Sequence, residues 1–341
     1  MKELDKLIKE TKEISIITGV SGMDGSILAD KLLAKGHKVI GVDRWNATGD
    51  SPNVKTFIDN ENFKMVTGDI TEEAFIYRLI KDNQPDYFYN MAAISLVPES
   101  FKIPKTVFNI NAIAVNYMLE TIRVYSPHTR FYQASTSEQI GENTDYPQNT
   151  DSKMRPNSPY AIAKLAAYHM VRCYRKAFGI FAVNGMLWNH EGPRRGPMFV
   201  TRKITLHIGS NTELPLQIGN MDSYRDWGLA DDYCDAMILM MEADEPDDWA
   251  VNTGESHSIR ELVEEAFKYI GVELTWIGKG KEEKGYDQGG NLRVEVNPEF
   301  YRPVEVPYLH GDHSKIKEKL GWTPKTKFKE LVKTMMESDS K

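Results

Sequence analysis

Residues 14–25 read Ile14-Ser15-Ile16-Ile17-Thr18-Gly19-Val20-Ser21-Gly22-Met23-Asp24-Gly25. The apolar run Ile14–Ile17 has the length of a buried strand, and glycines follow at every third position. Beyond Gly25, Leu28, Leu32 and Leu33 fall on one face of a helix, with Gly36 placed to end it. Glycines between a buried strand and a helix let the backbone turn tightly and bring a pyrophosphate to the helix N-terminus. The stretch predicts the first βα unit of a dinucleotide-binding fold.

The same rhythm continues outward. Short apolar runs recur at Val39–Val42, Phe63–Val66, Tyr87–Tyr89, Phe131–Ala134 and near Phe181–Leu187, separated by helical patterns over 71–81, 106–124 and about 158–178. Six such runs before residue 190 predict an α/β, Rossmann-type doubly wound parallel sheet. Beyond residue 190 the rhythm breaks into shorter elements rich in Gly, Pro and Arg. The expected division is a dinucleotide-binding domain over 1–188, with parts of about 222–252, and a smaller C-terminal substrate-binding α/β lobe over 189–221 and 253–341. The stretch 278–293 (GKGKEEKGYDQGGNLR) reads as a flexible loop.

Composition narrows the class. The 341 residues carry 42 Lys+Arg against 49 Asp+Glu, a net charge of −7, and are 41% hydrophobic, which excludes a disordered or fibrous chain. An acidic chain without a Lys/Arg run argues against nucleic-acid and anionic-membrane partners. Cys173 and Cys234 build neither a disulfide framework nor a metal-ligand pattern, so no metal is expected. No stretch approaches the ~18 apolar residues of a membrane span. The first dozen residues are too charged for a secretory signal and read as a short amphipathic helix. The expected location is cytoplasmic.

Asp43 closes the second run, 18 residues after Gly25. A carboxylate there is placed to accept from a ribose 2′-hydroxyl and to repel a 2′-phosphate, which favours NAD. Arg44 beside it can pair with a 2′-phosphate, so NADP stays open. Asp69, ending the third run, is placed to cap the adenine edge, whereas Asp24 reads as a helix-start residue. Tyr160 and Lys164 lie four apart on a helix and project from one face. An ammonium near a phenol favours the phenolate, the form that removes a hydroxyl proton as hydride leaves the same carbon. The Ser-Thr-Ser-Glu segment at 135–138 follows a buried strand, at the sheet edge where such folds bind ligands. Thr136 can orient the reacting oxygen there, and Glu138 can take and return a proton.

With these residues in place, the chain resembles the extended short-chain dehydrogenase/reductase family and, within it, the GDP-mannose 4,6-dehydratases. The matching runs are 17–26 (ITGVSGMDGS), 131–138 (FYQASTSE), 158–164 (SPYAIAK), 189–196 (NHEGPRRG), 199–204 (FVTRKI), 219–228 (GNMDSYRDWG), 301–306 (YRPVEV) and 320–322 (LGW). The resemblance implies a hydro-lyase that oxidises carbon 4 of a GDP-sugar, removes water across carbons 5 and 6, and returns the hydride to carbon 6. Thr136, Glu138, Tyr160 and Lys164 are then catalytic. The implied cofactor set is Gly19, Gly22, Met23, Asp24, Gly25, Asp43, Arg44, Asp69, Ile70, Ala92, Ala93, Tyr160, Lys164 and Asn189. The implied substrate set is Ser95, Thr136, Ser137, Glu138, Asn189, Arg195, Val200, Lys203, Arg225, Arg302 and Glu305. Two departures stand out: Asp43 and Trp45 replace basic residues of the family, and Gln139-Ile140-Gly141 replaces Leu-Tyr-Gly. The sugar is GDP-mannose or a GDP-manno-heptose, and the implied assembly is a homodimer or homotetramer. The competing reading is a GDP-sugar 4-dehydrogenase or 4-reductase that stops at carbon 4 and has no use for Glu138.

Overall fold

A computed structural model describes residues 12–44, 51–142, 144–301 and 306–340. Trp45, Arg302, Glu305 and all but Lys12 of the expected N-terminal helix lie outside the described residues.

The six apolar runs become strands β1 (Ile14–Thr18), β2 (Lys38–Asp43), β3 (Phe63–Thr67), β4 (Tyr87–Asn90), β5 (Arg130–Thr136) and β6 (Ala182–Leu187). A seventh strand, Asp248–Val251, extends the sheet, in the order Asp248–Val251, β6, β5, β4, β1, β2, β3. Pairing is parallel from β3 through β5. At the far edge the Asn184 N–H donates to Asp247 O and the Trp188 N–H to Val251 O, an advance in step that makes this pair parallel too. The strand order reverses beside β1, so the carboxyl ends of β1 and β4 flank the crevice where such sheets bind ligands. Apolar faces of strands and helices meet in a core that includes Ile16, Phe88, Phe131, Met118 and Ile122. The expected helix over 106–124 is Pro104–Phe108 and Ala114–Tyr125, joined through a π turn at Asn109–Ile113.

Two compact units divide the chain: 1–139, 158–186 and 234–249, and 140–157, 187–233 and 250–341. Against the boundaries expected from sequence, 140–157 and 222–233 belong with the second unit. Hydrogen bonds explain this: the Gln148 N–H donates to His310 O and the Asp312 N–H to Gln148 O, while the Asp232 carboxylate accepts from the Lys325 and Thr326 amides. The second unit holds a three-stranded sheet (Ser256–Ser258, Tyr224–Leu229, Asn189–Glu191) and a four-stranded sheet (Thr275–Ile277, Lys284–Tyr286, Leu292–Val296, Leu216–Ile218). Its core includes Ile204, Trp227, Phe267, Leu331 and Met336. The stretch 278–293, expected to be a loop, instead contributes two paired antiparallel strands of that second sheet. Gly285 lies against the Trp276 ring, and Glu283 receives both terminal nitrogens of Arg260, contacts that order a polar stretch.

Candidate active site

The glycine turn is built by close approach. Gly19 has φ +70°, and a Cβ there would lie 2.9 Å from the Ala92 backbone. A Cβ on Gly25 would lie 2.4 Å from Gly19 O. The Gly19 N–H donates to Val42 O and the Gly22 N–H to Gly19 O, closing the turn. Gly22 caps the Met23–Ala34 helix without a side-chain hydrogen bond, so the first-turn amides point at the turn as an anion site. Asp43, at the end of β2, accepts the Ser21 N–H (3.2 Å) and the Arg44 N–H (2.8 Å), which places its carboxylate beside the turn; Arg44 is exposed. Asp69 accepts from the Thr71 amide and hydroxyl through one oxygen, and Ile70 is buried.

A buried polar chain runs across the strand ends. Thr18 Oγ1 accepts the Ala92 N–H (3.2 Å) and donates to Asn90 Oδ1 (2.7 Å). Asn90 Nδ2 donates to Gln133 Oε1 (2.8 Å), and Gln133 Nε2 to Ala134 O (2.9 Å). That carbonyl also receives Lys164 Nζ at 2.8 Å. Each buried polar group thus gains a partner, and the chain fastens the glycine-turn strand, the 92–95 loop and the lysine helix together. Asn111, inside the π turn, donates to Ile94 O and accepts the Ile94 N–H, fixing the loop that carries Ala92, Ala93 and the exposed Ser95. Asn90 and Asn111 belong to none of the sequence motifs, and Gln133 lies in the run 131–138 without an assigned role. Polar residues ending the otherwise apolar runs Tyr87–Asn90 and Phe131–Gln133 were the available signal.

Lys164 is fully buried, and burial lowers its pKa to about 8, against which Asp24 pulls upward. Tyr160, one turn earlier on the Pro159–Phe178 helix, is buried against Val107, Ala112 and Ala163. Ser158 caps this helix by accepting the Ala161 N–H, which sets its start and so the face that Tyr160 and Lys164 share. Thr136 ends β5; its hydroxyl accepts the Glu138 N–H (3.2 Å), and buried Ser137 lies between them. Thr136, Glu138, Tyr160 and Lys164 all belong to the first unit, with the glycine turn.

The second unit holds the other expected residues by side-chain pairing. Asn189 lies on a strand paired with Tyr224–Leu229. Arg195 forms an ion pair with buried Glu191 (2.9 Å) and lies 3.5 Å from the Phe199 ring centroid. Val200 opens the Val200–Gly209 helix, and Lys203 on that helix sits 3.7 Å from the centre of the Phe300 ring, its pKa lowered by burial. Arg225 is buried and donates to Tyr224 O (2.8 Å) and Val306 O (2.7 Å). Arg195 and Arg225 therefore serve the unit's own structure through the contacts described, whatever else they hold.

The family model for GDP-mannose 4,6 dehydratase matches residues 16–335. A GDP-mannose 4,6 dehydratase of Drosophila melanogaster is 41% identical over 339 residues, covering 96% of this chain and 86% of its own. The GDP-mannose 4,6-dehydratase of Vibrio cholerae is 40% identical over 351 residues, covering 97% and 94%. The chain belongs to the GDP-mannose 4,6-dehydratase family. A solved dTDP-glucose 4,6-dehydratase of Bacillus anthracis, in complex with NAD, shares the fold at a TM-score of 0.80, with 21% identity over 96% of each chain. Within the GDP-mannose 4,6-dehydratase family, the departure at Gln139 has a structural role here: its Oε1 accepts the Ser135 hydroxyl at 2.9 Å, closing the turn that carries Glu138.

Proposed function

We propose that this chain is itself a GDP-mannose 4,6-dehydratase, forming a GDP-4-keto-6-deoxy sugar by oxidation at carbon 4, loss of water across carbons 5 and 6, and reduction at carbon 6. The observation that carries the reading is the bond from Lys164 Nζ to Ala134 O. It holds the helix face of Tyr160 against the strand end that leads into Thr136 and Glu138. In this reading Tyr160 takes the proton from the 4-hydroxyl, and Lys164 and Thr136 steady the oxygens. Glu138 takes the proton on carbon 5, acidified by the new ketone, before the 6-hydroxyl departs as water.

The glycine turn fits a dinucleotide, because Cβ atoms at Gly19 and Gly25 would fill the space in which the turn closes, and the uncapped helix start offers amides to a pyrophosphate. Bound nicotinamide dinucleotide supplies a hydride acceptor at carbon 4 and donor at carbon 6. Asp43, turned toward Ser21, supports NAD over NADP. Asn189, Arg195, Val200, Lys203, Arg225, Arg302 and Glu305 are assigned to the nucleotide sugar from the family motif. A cytoplasmic location and homo-oligomerisation belong to the same reading; exposed Phe101, Ile103, Phe108, Ile113 and Ile162, on or between first-unit helices, support the latter.

The test is the mass change of GDP-mannose, and of a GDP-manno-heptose, on incubation with the enzyme and NAD. Loss of one water is expected from GDP-mannose. Loss of two hydrogens with accumulating reduced cofactor would instead establish a carbon-4 dehydrogenase. Glu138→Gln is expected to retain partial carbon-4 oxidation, read as cofactor reduction, while releasing no dehydrated product. Equal loss of both steps removes the role given to Glu138.

A further inference from the structure

The helix Val200–Gly209 is fastened by more than its apolar face. Near its start, Thr201 Oγ1 donates to buried Glu191 at 2.7 Å. At mid-helix, Arg202 Nη2 meets Asp339 Oδ1 at 2.8 Å, and Thr205 Oγ1 donates to Asp339 Oδ2 at 2.6 Å. Both oxygens of Asp339, whose side chain is 0% exposed, are thus directed at one helix. Arg202 also donates to Pro193 O. At the helix end, a Cβ on Gly209 would lie 2.4 Å from Asp339 O, so the two backbones touch there.

We propose that Asp339 is a positioning residue for nucleotide binding, holding the Val200–Gly209 helix in the rotation that aims Lys203. The proposal rests on the reading that Lys203 holds the GDP moiety. A buried ion pair is poor evidence for net stability, because desolvation offsets the attraction, but the pair acts together with a directional hydrogen bond, Thr205 to Asp339, and that combination fixes register in a way that apolar packing does not. Ile204 and Ile208 give this helix an apolar anchor that tolerates small rotations. A side chain about 5–6 Å from a helix axis moves roughly 2 Å in a 20° rotation, enough to lose a hydrogen bond to a phosphate. Two oxygens gripping residues 202 and 205 resist that rotation. Lys203, between them in sequence, is further steered by its seat over the Phe300 ring.

The test compares GDP dissociation constants by calorimetry, together with KM and kcat for the nucleotide sugar. For Asp339→Asn, Kd and KM are expected to rise about tenfold with kcat at saturation within about twofold, since the ion pair with Arg202 is lost. Thr205→Val, which keeps the ion pair and so guards against a misfolded Asp339 variant, is expected to raise both about threefold. Asp339→Glu should restore part of the affinity. In the Lys203→Ala background, Asp339→Asn should add little, because the lysine it aims is gone. Unchanged GDP affinity in both Asp339→Asn and Thr205→Val, or full additivity with Lys203→Ala, overturns the positioning role while leaving Lys203 as a ligand. Unchanged GDP affinity in Lys203→Ala removes the reading of Lys203 and the proposal with it.

Discussion

The two units hold their candidate residues by different physics. In the first, backbone groups and neutral side chains do the placing: a glycine turn closed by amide–carbonyl bonds, the Thr18–Asn90–Gln133 chain, and a lysine aimed by the carbonyl of Ala134. In the second, buried carboxylates do it: Glu191 grips Arg195 and Thr201, Asp339 grips Arg202 and Thr205, and Asp226 accepts from Thr253, Gly254 and Gly311. Neutral hydrogen bonds to backbone groups leave no charge behind when one partner is changed. A carboxylate clamp joins residues up to 137 positions apart, as Arg202 to Asp339 is. It fails when either end is altered, because the remaining partner is left buried and unpaired.

Three substitutions can break or sharpen that contrast. Tyr160→Phe removes a proton acceptor and leaves the backbone framework intact. It is expected to lower kcat about a thousandfold with unchanged thermal stability, measured by product formation and calorimetry. A large loss of stability would mean that the Tyr160 hydroxyl, too, is part of the first unit's framework. Asp226→Ala strips the acceptor from three buried amides and a hydroxyl in the second unit. A fall of about 3 kcal/mol in unfolding free energy is expected in denaturant titrations; a fall under about 1 kcal/mol would show that solvent or relaxation replaces the clamp.

The smallest effect concerns the charge of Lys164. Its native pKa of about 8 lies below its ordinary value of 10.5. The folded chain therefore sheds this proton near pH 8, whereas the unfolded chain keeps it to about 10.5. Between those values the unfolded state binds more protons, so this group makes stability rise with pH, and below pH 8 its full burial penalty persists. Wild type should gain roughly 2 kcal/mol on Lys164→Met between pH 8 and 10. Parallel pH curves for the two proteins would refute the shift.

The same contrast explains what was legible in the sequence. Strand runs, glycine spacing and the Tyr160–Lys164 interval are short-range patterns, and the six strands they predicted are present. The strand Asp248–Val251 was passed over because its four residues open on Asp248, a polar residue fixed here by Arg175 and Asn184. The loop expected at 278–293 was misread because its order comes from partners far off in sequence, Arg260 and the strand Leu216–Ile218. Arg195 and Arg225 also have partners within the unit: Glu191, four residues before Arg195, and, for Arg225, backbone carbonyls that include Val306 O, 81 residues away. Arg202, in the run FVTRKI, likewise has a partner within the unit, Asp339, 137 residues away.

Neither unit is continuous along the chain, which passes between them after residues 139, 157, 186, 233 and 249. During synthesis the strand Asp248–Val251, on the edge of the main sheet, emerges after all six others. A nascent chain that stops short of residue 248 leaves β6 as a bare edge, with amides and carbonyls open to a neighbouring chain. While the ribosome adds residues 188–247, β6 therefore waits without the strand that covers its edge.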